Sequence, residues 1–393
     1  MTAVRARLLA VAVSWCVASC GPPESAPSPQ GCALRGSLTA ASTASRVVAI
    51  GTNYLSGTAW SVDGTGAARA LPLGATGDTV VRPLGGVTAV LNRMPGVADN
   101  VTLLEPRDGA LALVCQVPLV RASERSINTW ANPHDVLALD DRTLLVARYN
   151  LPSLAVVDVP SGAVVRTVDL AAYRGRAALP NPDAMLRVGD RIYVTLQRLD
   201  DVLHPQRGML VQIDAATLAV TATLELPFAN PTGALQRAVD GTTLLAMFGW
   251  YDTVGDGGVV ALDLRGATPS VASVVLREDD PAVLGNVDGV AVVDGATLVL
   301  KVPAERTAGM NIAETRFVRY EIASHRSTVL LRRGIWTGAV PVVLGGMVFI
   351  GDPGEGPGHT GAGVRRFTAA GDALPGVAAV GVEMFPYDLR AAP

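Results

Sequence analysis

Lysine is almost missing from this 393-residue chain, since Lys301 is the one lysine among 32 basic residues. Ala, Gly, Arg and Val dominate instead, a bias that reads as the codon usage of a GC-rich bacterium rather than as chemistry. Charge of either sign is scarce at 17%, the formal net charge is only -3, and the arginines do not cluster. That leaves no electrostatic footprint for a phosphate backbone, so nucleic acid is excluded as an expected partner. Local catalytic signatures are lacking as well: there is no HExxH, GxSxG or CxxCH and no paired zinc CxxC, and the four histidines His134, His204, His325 and His359 are scattered. What is abundant is apolar residue, at 49%, together with 41 glycines and 26 prolines that follow no collagen period. Such a composition builds a large core and argues against disorder. A single closed β domain can reach this length.

The N-terminus is the most specific segment. Arg5 and Arg7 precede an apolar stretch over 8–17, which ends at Val17-Ala18-Ser19-Cys20. Residues 1–19 read as a signal peptide, too short to span a bilayer as a helix. The end of the stretch resembles a bacterial lipobox, which implies that Cys20 is lipidated and becomes the first residue of the mature protein. The competing reading is an ordinary secretory signal cut near Ala18. Residues 20–45 are expected to be the lipidated cysteine and a flexible tether, because Gly21 to Gln30 is Pro/Ser-rich and has no periodicity. The expected location is the cell envelope, as an outer-membrane lipoprotein facing the periplasm or the cell surface, held to the membrane by its lipid. With Cys16 in the signal and Cys20 acylated, Cys32 and Cys115 remain, either as a disulfide or as two separate small apolar residues.

Internal repetition decides the fold. One phrase recurs about every 50 residues: a turn with Asn or Pro, an apolar strand, a tight Gly or Asp turn, a second strand, a variable loop, a third strand ending near Asp, and a fourth. The clearest copy begins at Asn132-Pro133-His134-Asp135 and ends near Leu170, and others begin at Asn181-Pro182-Asp183, Asn230-Pro231-Thr232, Asn286-Val287-Asp288 and Trp336-Thr337-Gly338, with a degenerate one near Asp78. Each run alternates with period two between hairpin turns, so each unit is a four-stranded antiparallel meander. Such a unit cannot bury both faces alone, and closing the copies into a ring removes the exposed ends. The first unit, from Arg46, has only three strands, while Phe385-Pro386-Tyr387-Asp388 at the chain end matches the start of an inner strand with nothing after it. The predicted fold is therefore all-β, a seven-bladed β-propeller over 46–393 whose C-terminal strand closes the first blade.

The phrases Thr143-Leu144-Leu145-Val146-Ala147-Arg148, Leu154-Ala155-Val156-Val157-Asp158 and Ser161-Gly162-Ala163-Val164-Val165 resemble the YVTN or YncE-like repeat of secreted bacterial propellers. The resemblance implies seven blades, an envelope location and a role as a binding or scaffold module. It brings no catalytic residues with it.

In this blade order the loops entering the inner strands share one face with the loops joining second and third strands, and the latter lengthen at 198–208, 249–258, 303–315 and 352–363. Elaboration of one face marks a functional surface on a rigid scaffold. Candidate ligand-binding residues at that channel mouth are His134, Asp135, Asp183, Asn230, Asp288 and Asp388. The Asp and Asn oxygens among them would suit Ca²⁺, with His134 as a base or ligand, whereas the bland reading is a set of Asx turns that cap backbone groups. No other cofactor is expected. Gly356-Pro357-Gly358-His359-Thr360-Gly361 matches GxGxxG but opens no helix and reads as a loop. Asp252 and Asp256 lack calcium-loop spacing, and Trp250 with Tyr251 reads as either a ligand contact or local packing. The expected function is a monomeric, lipid-anchored binding module whose partner is an envelope protein or polysaccharide. The alternative is a metal-dependent hydrolase of lactonase type with a cation at the channel mouth.

Overall fold

The computed structural model describes residues 31–393 except 42–43, 54, 95–97, 109, 125–128, 201–203, 205, 251–252, 307–311, 357 and 380–383. Cys20 and the signal segment lie outside the described residues. The described strands form seven four-stranded antiparallel sheets. In six blades the chain order is the sheet order, inner strand first. The inner strands are Thr79–Leu84, Pro133–Ala138, Pro182–Val188, Gln236–Arg237, Gly289–Val292 and Val342–Leu344 for blades two to seven. Blade one takes its inner strand from the chain end: Phe385–Ala392 pairs antiparallel with Arg46–Thr52, from Thr52 opposite Phe385 to Arg46 opposite Ala392. The ring is closed as its repeats imply.

The period-two alternation explains why the blades must associate. Along the second strand of blade three, Leu144 and Val146 belong to a core shared with blade two, while Leu145 and Ala147 belong to one shared with blade four. Successive side chains of a strand point to opposite faces, so each sheet feeds two cores. The buried side chains divide accordingly into seven clusters, one for each pair of neighbouring blades, including Val48, Ile50, Val81 and Val90 between blades one and two and Val47, Trp60, Phe349 and Leu389 between blades seven and one. The outer pairs carry register breaks in every blade, for example at Val156/Val157 in blade three and Phe317/Val318 in blade six. Bulges of this kind twist an edge away from pairing with another chain.

One boundary differs from the sequence reading. Residues 31–41, assigned there to the tether, lie on the propeller face opposite the long loops. Cys32 and Cys115 form a disulfide with Cα atoms 5.4 Å apart, and Leu38 is buried. The backbone N–H groups of Arg35 and Gly36 both donate to Glu105 Oε1, at 2.6 and 2.7 Å. The hydroxyls of Ser37 and Thr39 donate to Asp141 Oδ1. Gly85, at φ 51°, lets this strap approach closely, since a Cβ there would stand 2.7 Å from the Leu38 carbonyl. The Pro/Ser-rich composition that suggested a tether ends at Gln30, and Cys32 and Leu38 beyond it supply apolar groups that can be buried.

Candidate functional site

Two local devices shape the entries to the inner strands of blades one, three, four and five. Asn132, Asn181 and Asn230 adopt left-handed φ values of 48°, 51° and 51°, a region that Asn tolerates better than most residues. Their carbonyls accept the N–H groups of Tyr149, Gln197 and Phe248, at 3.1, 3.1 and 3.0 Å. These asparagines are turn residues, and Asn230 does not join the channel-mouth cluster that the sequence reading placed it in. Its place is set by the backbone conformation that the blade entry requires.

The second device is a bulge just inside the strand. Register skips His134 in blade three, Asp183 and Ala184 in blade four, and Tyr387 in blade one. A bulged residue is freed from the ladder and can re-aim its side chain. His134, Asp183 and Tyr387 accordingly line a cavity of about 340 Å³ at the upper mouth, together with Asp288, Lys301 and Trp336. Arg82 and Arg390 line both this cavity and a larger one of about 860 Å³ at the opposite mouth, where Leu38 and Thr39 of the strap form part of the wall. The two arginines therefore sit where the channel narrows.

Around that narrowing every carboxylate has a cationic partner. Arg82 Nε lies 2.8 Å from Asp135 Oδ1 and its Nη1 lies 3.1 Å from Asp388 Oδ2. Arg390 Nη1 is 3.3 Å from Asp388 Oδ1. Asp135 also accepts the N–H of Met185 on blade four, and Asp388 accepts that of Val81 on blade two. Both aspartates thus stitch one blade to the next. Burial raises the Asp135 carboxyl above the ordinary range, opposed by the nearby Arg82. Burial also lowers the Arg390 guanidinium.

Higher in the mouth, Lys301 Nζ lies 2.9 Å from Asp288 Oδ2 and 5.0 Å from the Trp336 ring. Burial raises the Asp288 carboxyl, and Asp288 Oδ1 has no hydrogen-bond partner among the described residues. His134 Nδ1 is 2.6 Å from Asp183 Oδ1, and its ring stacks on Tyr149 at 4.0 Å and 11°. Burial, reinforced by the charge of Arg93, holds the imidazole below its ordinary value and therefore neutral at pH 7. Tyr387 donates to Asp78 Oδ1 at 2.5 Å, and Arg93 also pairs with Asp78.

Of the six residues read from sequence, His134, Asp183, Asp288 and Asp388 line the upper cavity, Asp135 lines the lower one, and Asn230 lines neither. Among the described residues no three His, Cys, Asp or Glu side chains converge as metal ligands. The donor set itself suits Ca²⁺ poorly, because Asp135, Asp288 and Asp388 are already paired with Arg82, Lys301 and Arg390, and Asp183 is held by His134. Sequence reasoning missed Arg82, Arg93, Lys301 and Arg390 and also Tyr149, Trp336 and Tyr387. The isolation of Lys301 was visible but was read as composition alone.

In the long upper loops, Asp256 accepts the N–H of Trp250 rather than facing a cation site, and the Trp250 ring meets His204 edge-on at 5.1 Å. Tyr251 and Asp252 lie outside the described residues. His359 stacks on Phe385 at 4.2 Å, and its loop closes by a short bridge between Glu355 and Thr360 with no helix following.

Beneath the 249–258 loop, Glu278 is fully buried, with Oε1 accepting from Val287 N–H at 2.9 Å and Oε2 unpartnered among the described residues. Burial pushes its carboxyl from 4.5 up to about 8, with the Asp256 charge adding to the rise. The folded state therefore holds this proton more tightly than the unfolded chain does. The associated stability is complete below pH 4.5 and is lost as pH rises to about 8, at about 1.4 kcal/mol per pH unit. Replacing Glu278→Gln should abolish that slope. Denaturant melts between pH 5 and 9 should show the variant gaining on the parent up to about pH 8, and parallel curves would refute the assignment.

Comparison with solved structures supports the fold. A functionally unknown protein from Desulfotomaculum acetoxidans DSM 771 is 11% identical with a TM-score of 0.54, over 88% of this chain and 99% of that one. A Bacteroides fragilis NCTC 9343 protein assigned provisionally as a 6-phosphogluconolactonase is 14% identical with a TM-score of 0.56, over 88% and 98%. A hypothetical selenium-binding protein from Sulfolobus tokodaii is 10% identical with a TM-score of 0.54, over 89% and 94%. At such identities the likeness establishes the architecture alone: the chain is a seven-bladed β-propeller with a charged, aromatic-lined upper channel mouth. No protein-family model matches it, and no curated protein matches it.

Proposed function

We propose that this chain is a lipid-anchored envelope propeller of the YVTN type that binds a neutral, polyhydroxylated ligand, a saccharide unit of an envelope polymer, at its upper channel mouth. The balance of charge in the mouth carries the reading. Arg82, Arg93, Lys301 and Arg390 stand against Asp78, Asp135, Asp183, Asp288 and Asp388, four cations to five carboxylates, so all but one of the charges are compensated and the mouth presents no strong field to an anion or a cation. Paired side chains offer donors and acceptors side by side, which is what hydroxyl groups need, since each both donates and accepts. Trp336, Phe248 and Tyr387 supply apolar surface with polar edges for the face of a sugar ring.

The test uses the Cys20→Ala chain, titrated with soluble peptidoglycan fragments and neutral oligosaccharides and followed by calorimetry and tryptophan fluorescence. Binding should be saturable and should weaken at least tenfold in Trp336→Ala. Absence of binding to every saccharide would overturn the ligand class. The anchor is tested separately, by palmitate labelling that Cys20→Ala should abolish.

A further inference from the structure

We infer that His134 Nε2 is a general base in the upper cavity, positioned by Asp183, and that the cavity hydrolyses carboxylic esters by activating water. A carboxylate can only accept, so the 2.6 Å contact makes Nδ1 the protonated nitrogen. That leaves the Nε2 lone pair as the basic atom. His134 lines the cavity, and the Tyr149 stack on one side and the Asp183 bond at the edge allow the ring one orientation. The positioning extends one layer further, because Tyr149 Oη donates to Gln197 Oε1 at 2.7 Å. A base oriented in this way by a carboxylate is the arrangement that acyl-transfer chemistry requires.

The same lining indicates the class of reaction. It contains no serine or cysteine among the described residues, and its Thr232 hydroxyl bonds no base, so water is the nucleophile; Arg93 and Lys301, each paired with a carboxylate, line the same cavity as N–H donors to a developing oxyanion. In the step itself, the water oxygen bonds to the acyl carbon while His134 Nε2 takes a water proton. The tetrahedral intermediate then collapses, the carbon–oxygen bond to the alcohol breaks, and the alkoxide recovers the proton from the imidazolium. An acid and an alcohol result, with no change of oxidation state. Charges facing the ring are Arg93 and Asp78 from blade two and Asp183 from blade four, while Arg82 Nη2 bonds the His134 carbonyl. Because the imidazole is held below its ordinary value, the acid limb of the rate profile should lie below that of free imidazole.

The proposal shares the cavity with the saccharide reading but does not depend on it, and the probe is p-nitrophenyl acetate with no sugar present. The Cys20→Ala chain should hydrolyse it at least about a hundredfold faster than an equal concentration of imidazole, and His134→Asn should lose that excess. Asparagine retains an N–H for Asp183 and lacks Nε2, so its melting temperature reports folding independently. The other three histidines supply whatever rate remains. Asp183→Asn should lower kcat with little change in KM and shift the acid limb further down, a movement that a purely structural role would not produce. As a second readout, diethyl pyrocarbonate should modify His134 in step with loss of activity. Equal rates in the parent and His134→Asn, or full activity after His134 is modified, would overturn the inference. A saccharide that binds without inhibiting would overturn only the shared cavity.

Discussion

A chain ending before Phe385 should fail to fold, or melt some tens of degrees below the parent. Phe385, Leu389 and Ala392 are buried, and Leu389 sits in the core between blades seven and one. Losing a buried Phe costs about 3–5 kcal/mol and a buried Leu about 2–5 kcal/mol, and each kcal/mol is worth about 2–4 °C in a domain of 150–250 residues. Deletion also bares the Arg46–Thr52 strand, whose unpaired backbone becomes an edge open to association. The gentler Leu389→Ala separates core from edge, since it leaves the strand in place and should cost about 2–5 kcal/mol. Calorimetry of both variants decides the matter. A truncated chain that melts like the parent would mean that the three-stranded first blade is held by its neighbours alone.

The second large effect is expected at Asp388. Its carboxylate accepts from Val81 N–H at 2.8 Å and pairs with both Arg82 and Arg390. Asp388→Ala would leave Arg390 without its carboxylate, Arg82 with Asp135 alone, and the Val81 N–H without its acceptor. Removing one partner from a buried ion pair costs about 3–5 kcal/mol, whereas replacing the whole set by apolar groups of similar volume is often neutral. Asp388→Leu combined with Arg390→Met should therefore recover much of what the single change loses. Chemical denaturation of the two variants measures the difference. Equal losses would show that the cost lies in the Val81 hydrogen bond rather than in the stranded charge.

Much of this architecture was legible because it rests on local rules. Alternation such as Leu144 to Ala147, hairpin turns such as Pro160-Ser161-Gly162, and the orphan phrase from Phe385 each state a backbone requirement within a few residues. The site was less legible. Asn132, Asn181 and Asn230 announce a turn, and the turn is what they make. The side chains that meet in the cavity depend instead on bulges at His134, Asp183 and Tyr387, which shift by one residue which face a side chain takes. They depend equally on Arg93, Lys301 and Trp336, which come from three different blades. The strap was misjudged because composition up to Gln30 says nothing of where Cys32 and Leu38 find partners, and its disulfide was left open for the same reason.

The sequence by itself determined the blade count, the sheet order within a blade and the closing strand, since period and turn chemistry are properties of neighbours along the chain. Only the tertiary structure decided which charges neutralise one another, which ring holds His134, and how far the strap belongs to the domain. Those contacts join residues separated by as many as 309 positions, as between Asp78 and Tyr387. No local propensity acts across such a distance, and the pairing exists only once seven sheets have closed around a common axis.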